Sequence, residues 1–182
     1  TGSAKQASQF AWFNNPRAKA SSHTHHAYDG TVEQYVPLAR VAWAAGVGSR
    51  RLLQIETQGD GAEPWTAAQI ESPAQDIARM WRTYKFPLRL MTSSKKTEKG
   101  IGYHRLGVPR SRWVSINAAG WLVIGGERWS SAVGKVCPGD KRIAQLPAVL
   151  DRVKEIVGQS TATPTKPVKS KPAPKKTAKV AV

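Results

Sequence analysis

Four side chains in this sequence are of the types that metal-dependent hydrolysis requires: Glu56, His104, Lys135 and Cys137. Histidine and cysteine thiolate are ligands of the right softness for zinc, which in catalytic sites takes three protein ligands and one water. A carboxylate can remove a proton from that water, and a cation can stabilise the oxyanion that forms. The spacing alone is weak support, because the long separation of His104 and Cys137 matches no short zinc motif.

Cys137 is the only cysteine in the chain, so it cannot form an internal disulfide. It serves packing, reactivity or metal binding, and packing is the commonest role of a lone buried cysteine. Pro138 and Gly139 predict a turn that leaves the thiol at the end of an element. Lys135 precedes the thiol by two residues, so in an extended segment both side chains share a face, and the cation favours the thiolate.

A histidine-rich segment, His23-Thr24-His25-His26, precedes an Asp29-Gly30 pair and a β-prone run over 31–36. Asp-Gly between two such runs predicts a β-hairpin. Three histidines in four residues suggest a metal site. The commoner alternative is that they are half-exposed, or are hydrogen-bonded supports beneath a cleft, and the sequence leaves both possibilities open.

The remaining pattern predicts an α/β fold in which helices flank a mixed central β-sheet. Residues 51–57 have the composition of a buried strand, which places Glu56 near its carboxyl end, where chemistry collects in α/β sheets. Thr66 and Gln69 form a capping-box pattern before an amphipathic helix over 67–84. A helix at 4–13, a short strand at 86–91 and a closing helix over 143–157, interrupted at Pro147, complete the prediction.

The chain carries a formal charge of +16 and no run of 18 apolar residues, and we expect no secretory signal peptide. Such a surface suits a polyanion, whether nucleic acid, acidic lipid or an anionic cell wall, and charge alone does not choose among them. We expect no membrane span. Because the chain begins at Thr1 rather than Met, we interpret it as a processed, trimmed or incomplete product.

Two segments differ sharply in composition. Residues 1–158 have the apolar content of a folded domain, whereas residues 159–182 are rich in Lys, Pro, Ala and Thr without periodicity. The second segment is predicted to be an extended basic linker or tail. Residues 107–133, rich in Gly, Arg and Trp, are predicted to form a long irregular loop along the cleft.

Several segments, in order, resemble the zinc-dependent N-acetylmuramoyl-L-alanine amidases, which share a fold with peptidoglycan recognition proteins. The resemblance covers about residues 1–157. It rests on the segments 21–23, 29–38 and 42–46, on Leu53-Gln54-Ile55-Glu56, on Gly102-Tyr103-His104-Arg105, and on Gly134-Lys135-Val136-Cys137-Pro138-Gly139. The region before Cys137, with the segment 125–130, is most similar to amidase domains of endolysins from phages of mycobacteria and their relatives.

The resemblance implies a role for each of the four residues. His104 and Cys137 would be zinc ligands, Glu56 the general base, and Lys135 the cation that polarises the amide carbonyl. The family's first zinc histidine lies on a strand that no residue here matches, so one zinc ion is expected with its third protein ligand just upstream of Thr1. Whether His25 or His26 contributes to the metal site is left open.

The resemblance implies a peptidoglycan amidase that cuts the bond between N-acetylmuramic acid and L-alanine. We expect a monomeric phage endolysin, made in the host cytoplasm and acting on the cell wall, with no specific nucleic-acid or membrane partner. One alternative is a module of the same fold that binds peptidoglycan without cutting it. Another, resting on charge and the basic tail, is a nucleic-acid binder.

Overall fold

The computed structural model describes residues 6–109 and 125–161. The helices and strands, in chain order, are α1 (Gln6–Phe13), β1 (Thr24–His26), β2 (Val32–Gln34), a first 3-10 helix (Gly46–Arg50), β3 (Ile55–Thr57), α2 (Ala67–Tyr84), a second 3-10 helix (His104–Gly107) and α3 (Asp140–Thr161). Most of the loop predicted over 107–133, including Trp113 and Trp121, and nearly all of the predicted tail lie outside these ranges.

The three strands form one mixed sheet in the order β2-β1-β3. β1 pairs with β2 antiparallel and with β3 parallel, so the predicted mixed α/β architecture is confirmed. His25, in the middle strand, lies in register with Glu33 on one side and Glu56 on the other. Neighbours in register project from the same face of a sheet, so the sheet brings an imidazole and two carboxylates together.

The predicted hairpin is present, with strands shorter than expected. Gly30 has a φ of 89°, a conformation that glycine adopts without strain, and the Thr31 amide donates to the Asp29 carboxylate at 2.9 Å. β3 is also shorter than the strand predicted over 51–57, because its ladder with β1 spans only three residues. The strand expected at 86–91 is reduced to a single bridge between Leu90 and Ile101.

α2 begins where the capping box predicts. The Gln69 amide donates to the Thr66 hydroxyl at 3.1 Å, and the Gln69 side chain accepts from the Thr66 amide. Pro73 lies inside the helix without moving its start. The buried face of α2 carries Ala74, Ile77 and Ala78, which pack against α3 to form the main core.

α3 corrects one expectation, because the predicted interruption at Pro147 does not occur and the helix runs unbroken from Asp140 to Thr161. A proline inside a helix removes one backbone hydrogen bond. Here Leu146 precedes it and Val149, Leu150 and Val153 follow it as buried side chains, so core packing on both sides holds the helix together.

Arg142, in the first turn of α3, is fully buried and joins this helix to the segment that follows β3. Its guanidinium donates to the Thr57 hydroxyl at 3.2 Å and to the carbonyl groups of Gln58 and Glu63, each at 3.0 Å. None of the helices in the described ranges is both long and apolar enough to cross a membrane.

Candidate active site

A groove of about 900 Å³ is lined by three of the four residues that the sequence singled out: Glu56, His104 and Cys137. Glu56 lies in the middle of β3, and His104 begins the second 3-10 helix. Cys137 lies in the turn before α3. A groove of this size lies in the range of clefts that bind small organic ligands.

The segments that carry His104 and Cys137 are tied directly to each other. The Arg105 amide donates to the Cys137 carbonyl at 3.1 Å, and the Arg105 guanidinium pairs with the Asp140 carboxylate at 2.6 Å. Gly139 has a φ of 105°, and a Cβ at this position would lie 2.0 Å from the Gly61 carbonyl oxygen. Glycine is therefore required where the cysteine turn packs against the loop after β3.

The ring of His104 is oriented by a main-chain carbonyl. Its Nε2 lies 3.1 Å from the Trp129 carbonyl oxygen. Because a carbonyl only accepts, this contact requires the proton on Nε2, and Nδ1 is the ring nitrogen left for a second partner. Histidines that bind metal through one ring nitrogen typically donate the N–H of the other ring nitrogen to a partner such as a main-chain carbonyl.

The thiol of Cys137 is half-buried and is hydrogen-bonded to His104. Burial raises the pKa of this thiol, and the hydrogen bond to His104 is among the interactions that lower it, with a net result of about 7. The nearby carboxylate of Glu56 acts in the opposite direction and raises it. A substantial fraction of the thiol is therefore thiolate, the metal-binding form, at neutral pH.

Lys135 is not brought into this group. Its side chain is exposed and lies outside the lining of the groove, although it precedes Cys137 by only two residues. Its role as the cation beside the carbonyl stays a prediction.

Two of the clustered histidines are structural supports. His23 accepts from the Gln54 amide at 2.9 Å through Nδ1, and its Nε2 donates to the Arg40 carbonyl at 3.0 Å. His26 lies 3.0 Å from the Ser72 hydroxyl and 3.3 Å from the Asp76 carboxylate. Both rings are fully buried, so the half-exposed alternative does not apply.

His25 differs from its neighbours. It is fully buried, and within the described part of the chain neither ring nitrogen has a hydrogen-bond partner. Burial lowers the pKa of His25, while the carboxylates of Glu56 and Glu33 oppose that shift. His25 differs from the other two histidines because it lies in register with Glu56 on the neighbouring strand. Only the pairing of the strands reveals this position.

The donor chemistry of the groove suits zinc, but the set of ligands is incomplete. His104 and Cys137 supply two of the three protein ligands that catalytic zinc takes. Residues 6–109 and 125–161 contain no cluster of three or more His, Cys, Asp or Glu side chains that could hold a metal ion. The described residues therefore do not form a complete zinc site, and the position of the third protein ligand stays a prediction.

The fold agrees with the comparison with known families. A family model described as N-acetylmuramoyl-L-alanine amidase matches residues 1–140. Since the match covers well over half of the 182 residues, the chain belongs to the N-acetylmuramoyl-L-alanine amidase family, which acts on peptidoglycan. No curated protein and no solved structure matches the chain.

Proposed function

We propose that this chain is a zinc-dependent hydrolase that cuts the amide bond between N-acetylmuramic acid and L-alanine in peptidoglycan. The observation that carries the proposal is the convergence of Glu56, His104 and Cys137 on one groove in a chain of the amidase family. His104 and Cys137 are the residues that would hold the zinc ion. When bound, zinc lowers the pKa of its water ligand and polarises the substrate carbonyl.

Glu56 would remove a proton from the attacking water as the water oxygen bonds to the muramoyl carbonyl carbon. Lys135 would stabilise the oxyanion, once its exposed side chain turns towards the groove. Glu56 would then return the proton to the alanine nitrogen as the C–N bond breaks. The products are a muramoyl carboxylate and a peptide with a free amino terminus.

A matched pair of groove carboxylates tests this proposal. Glu56 and Glu98 both line the groove, and Glu98 pairs with Arg89 at its edge. We expect Glu56→Gln to slow the release of free alanine amino groups from purified peptidoglycan by roughly 100- to 10,000-fold. Glu98→Gln should leave the rate close to that of the unmodified chain. A Glu56→Gln variant that keeps the full rate in zinc-supplemented buffer contradicts the assignment.

A binding module that holds peptidoglycan without cutting it is the second candidate. The incomplete ligand set among the described residues favours it. It predicts that the chain sediments with cell walls, that a chelator leaves this binding unchanged, and that no amino groups are released in the presence of zinc. Release of amino groups that a chelator abolishes excludes this candidate.

The biological setting that we propose is that of a phage endolysin, monomeric and made in the host cytoplasm before it reaches the wall. The resemblance around residues 125–130 supports this setting, and the charge of +16 suits an anionic wall.

A further inference from the structure

We propose that Arg51, Glu127 and Trp129 form a latch that positions His104 for the reaction. The inference rests on the proposed function, in which His104 is a site residue. Within the latch, Arg51 and Glu127 act through Trp129, and Trp129 acts through its main-chain carbonyl. They are positioning residues.

The main chain of Trp129 is the part that touches the site. Its carbonyl accepts from His104 Nε2 at 3.1 Å, and its amide donates to the Gly107 carbonyl at 2.6 Å. These two bonds attach residue 129 to both ends of the second 3-10 helix, which runs from His104 to Gly107. A displacement of the Trp129 main chain therefore changes the hydrogen bond that orients the His104 ring.

The indole of Trp129 packs into a recess against Gly48 and Gly107, which we call the seat. Trp129 is only 4% exposed. A Cβ on Gly48 would lie 2.5 Å from the indole Nε1, and a Cβ on Gly107 would lie 2.3 Å from Cγ. Real carbon atoms do not approach so closely, so the ring fills space that any other residue at 48 or 107 would occupy. The seat fixes where the Trp129 main chain lies.

One carboxylate oxygen of Glu127 connects Arg51 to Trp129 within the latch. Oε2 accepts from Arg51 Nε at 2.8 Å, from Arg51 Nη2 at 2.5 Å and from the indole Nε1 of Trp129 at 3.2 Å. The guanidinium of Arg51 also lies over the indole, 5.8 Å from the ring centre. Hydrogen bonds from a cation to a carboxylate are roughly twice as strong as neutral ones, and these are partly buried.

The latch is anchored outside the loop that carries Glu127 and Trp129. The Glu127 amide donates to the Ser94 carbonyl at 3.0 Å, and Arg51 comes from the segment between the first 3-10 helix and β3. The loop is therefore held against two separate parts of the fold. The consequence for His104 is a ring held with the proton on Nε2 and with Nδ1 in a fixed position.

The test is the tautomer of His104, measured by nitrogen-15 NMR on the histidine-labelled full chain, with signals assigned by their loss in His104→Asn. We expect the unmodified chain to show the Nε2-protonated form and Glu127→Ala to show a mixture of both neutral forms. Trp129→Phe keeps a ring in the seat but loses the Nε1 donor, so a smaller admixture is expected. Glu155→Ala, which removes an exposed carboxylate paired with Arg152 on α3, is the matched control.

Catalysis gives the second readout. Glu127→Ala should lower kcat about 10-fold, the lower end of the effect of partners that orient metal-binding histidines, with KM unchanged. An unaltered tautomer in folded Glu127→Ala overturns the latch. If that variant does not fold, Glu127→Gln replaces it, because this change keeps the shape of the side chain and removes its charge. An unaltered His104 tautomer in folded Glu127→Gln likewise overturns the latch. A tautomer that depends on Glu127 in a chain without amidase activity supports the latch and refutes the proposed function instead.

Discussion

His25 and Glu56 lie opposite each other on two parallel strands, and they have different environments. Glu56 lines the groove, whereas His25 is fully buried with no hydrogen bond to either ring nitrogen within the described ranges. A buried polar group without a partner costs free energy, so its presence calls for a specific explanation such as a functional role or a bound water or ion.

Replacement of His25 by Leu should stabilise the fold. The variant removes unbonded polar atoms from the interior, so we expect the free energy of unfolding to rise by about 1 kcal/mol in urea denaturation. The neighbouring variant His26→Leu is the control, because it breaks the contacts with Ser72 and Asp76. It should lower the free energy of unfolding by about 2 kcal/mol. Equal losses in both variants would show that His25 is a hydrogen-bonded support like His26.

The lowered pKa of His25 predicts that the folded chain loses stability in mild acid. Burial lowers the pKa of His25 in the folded chain below the ordinary value of 6.5, so the unfolded chain binds the additional proton. Stability should therefore fall as the pH drops below 6.5, until the folded pKa is reached. His25→Leu should remove this part of the pH dependence of the free energy of unfolding.

Asp76 acts in a separate, lower pH range. Burial raises the pKa of its carboxyl, but hydrogen bonds from His26, Thr24 and Arg79 outweigh it and hold the pKa below 3.8. Its contribution is present above pH 3.8 and is lost as the pH falls through the folded pKa. A His25→Leu variant that still loses stability between pH 6.5 and 4 would place the titrating group elsewhere.

Cys137 should react as a thiolate near neutral pH. Its pKa of about 7 predicts that alkylation by iodoacetamide reaches half its maximal rate near pH 7. His104→Ala removes a hydrogen bond that favours the thiolate, so the midpoint should move to higher pH. The urea-unfolded chain provides the reference, with a midpoint near the ordinary cysteine value of about 8.5. Matching profiles for folded and unfolded chains would refute the lowered pKa.

Gly139→Ala should disrupt the turn that carries the thiol. The added Cβ would lie 2.0 Å from the Gly61 carbonyl oxygen, in a backbone conformation with φ of 105°. We expect a loss of at least about 2 kcal/mol in the free energy of unfolding, together with altered Cys137 alkylation. Gly158→Ala in α3 is the control, because a Cβ there meets nothing within 4 Å. This control should gain up to about 1 kcal/mol. A Gly139→Ala variant as stable as the unmodified chain contradicts the crowding.

Local signals predicted the elements best. The capping box at Thr66 and Gln69 fixed the start of α2, and the Asp29-Gly30 pair located the hairpin, because each depends on residues adjacent in sequence. The continuity of α3 through Pro147 depends on packing against α2, which no local pattern contains. No local pattern predicted the parallel pairing of β1 with β3 either, because this pairing joins segments separated by two other elements.

The candidate site was predicted mainly through family resemblance. The residues Glu56, His104 and Cys137 were expected together and do line one groove. The sequence did not distinguish His25 from His23 and His26, because their partners, Gln54, Arg40, Ser72 and Asp76, come from other segments. Trp129 was expected along the cleft, but its contact with His104 through a main-chain carbonyl has no side-chain signature.

The buried guanidinium of Arg142 has a mechanical consequence for the groove. It fastens the first turn of α3, immediately after the cysteine turn, to the carbonyl groups that follow β3. Together with its hydrogen bond to Thr57 in β3, this contact restrains the cysteine turn relative to the strand that carries Glu56.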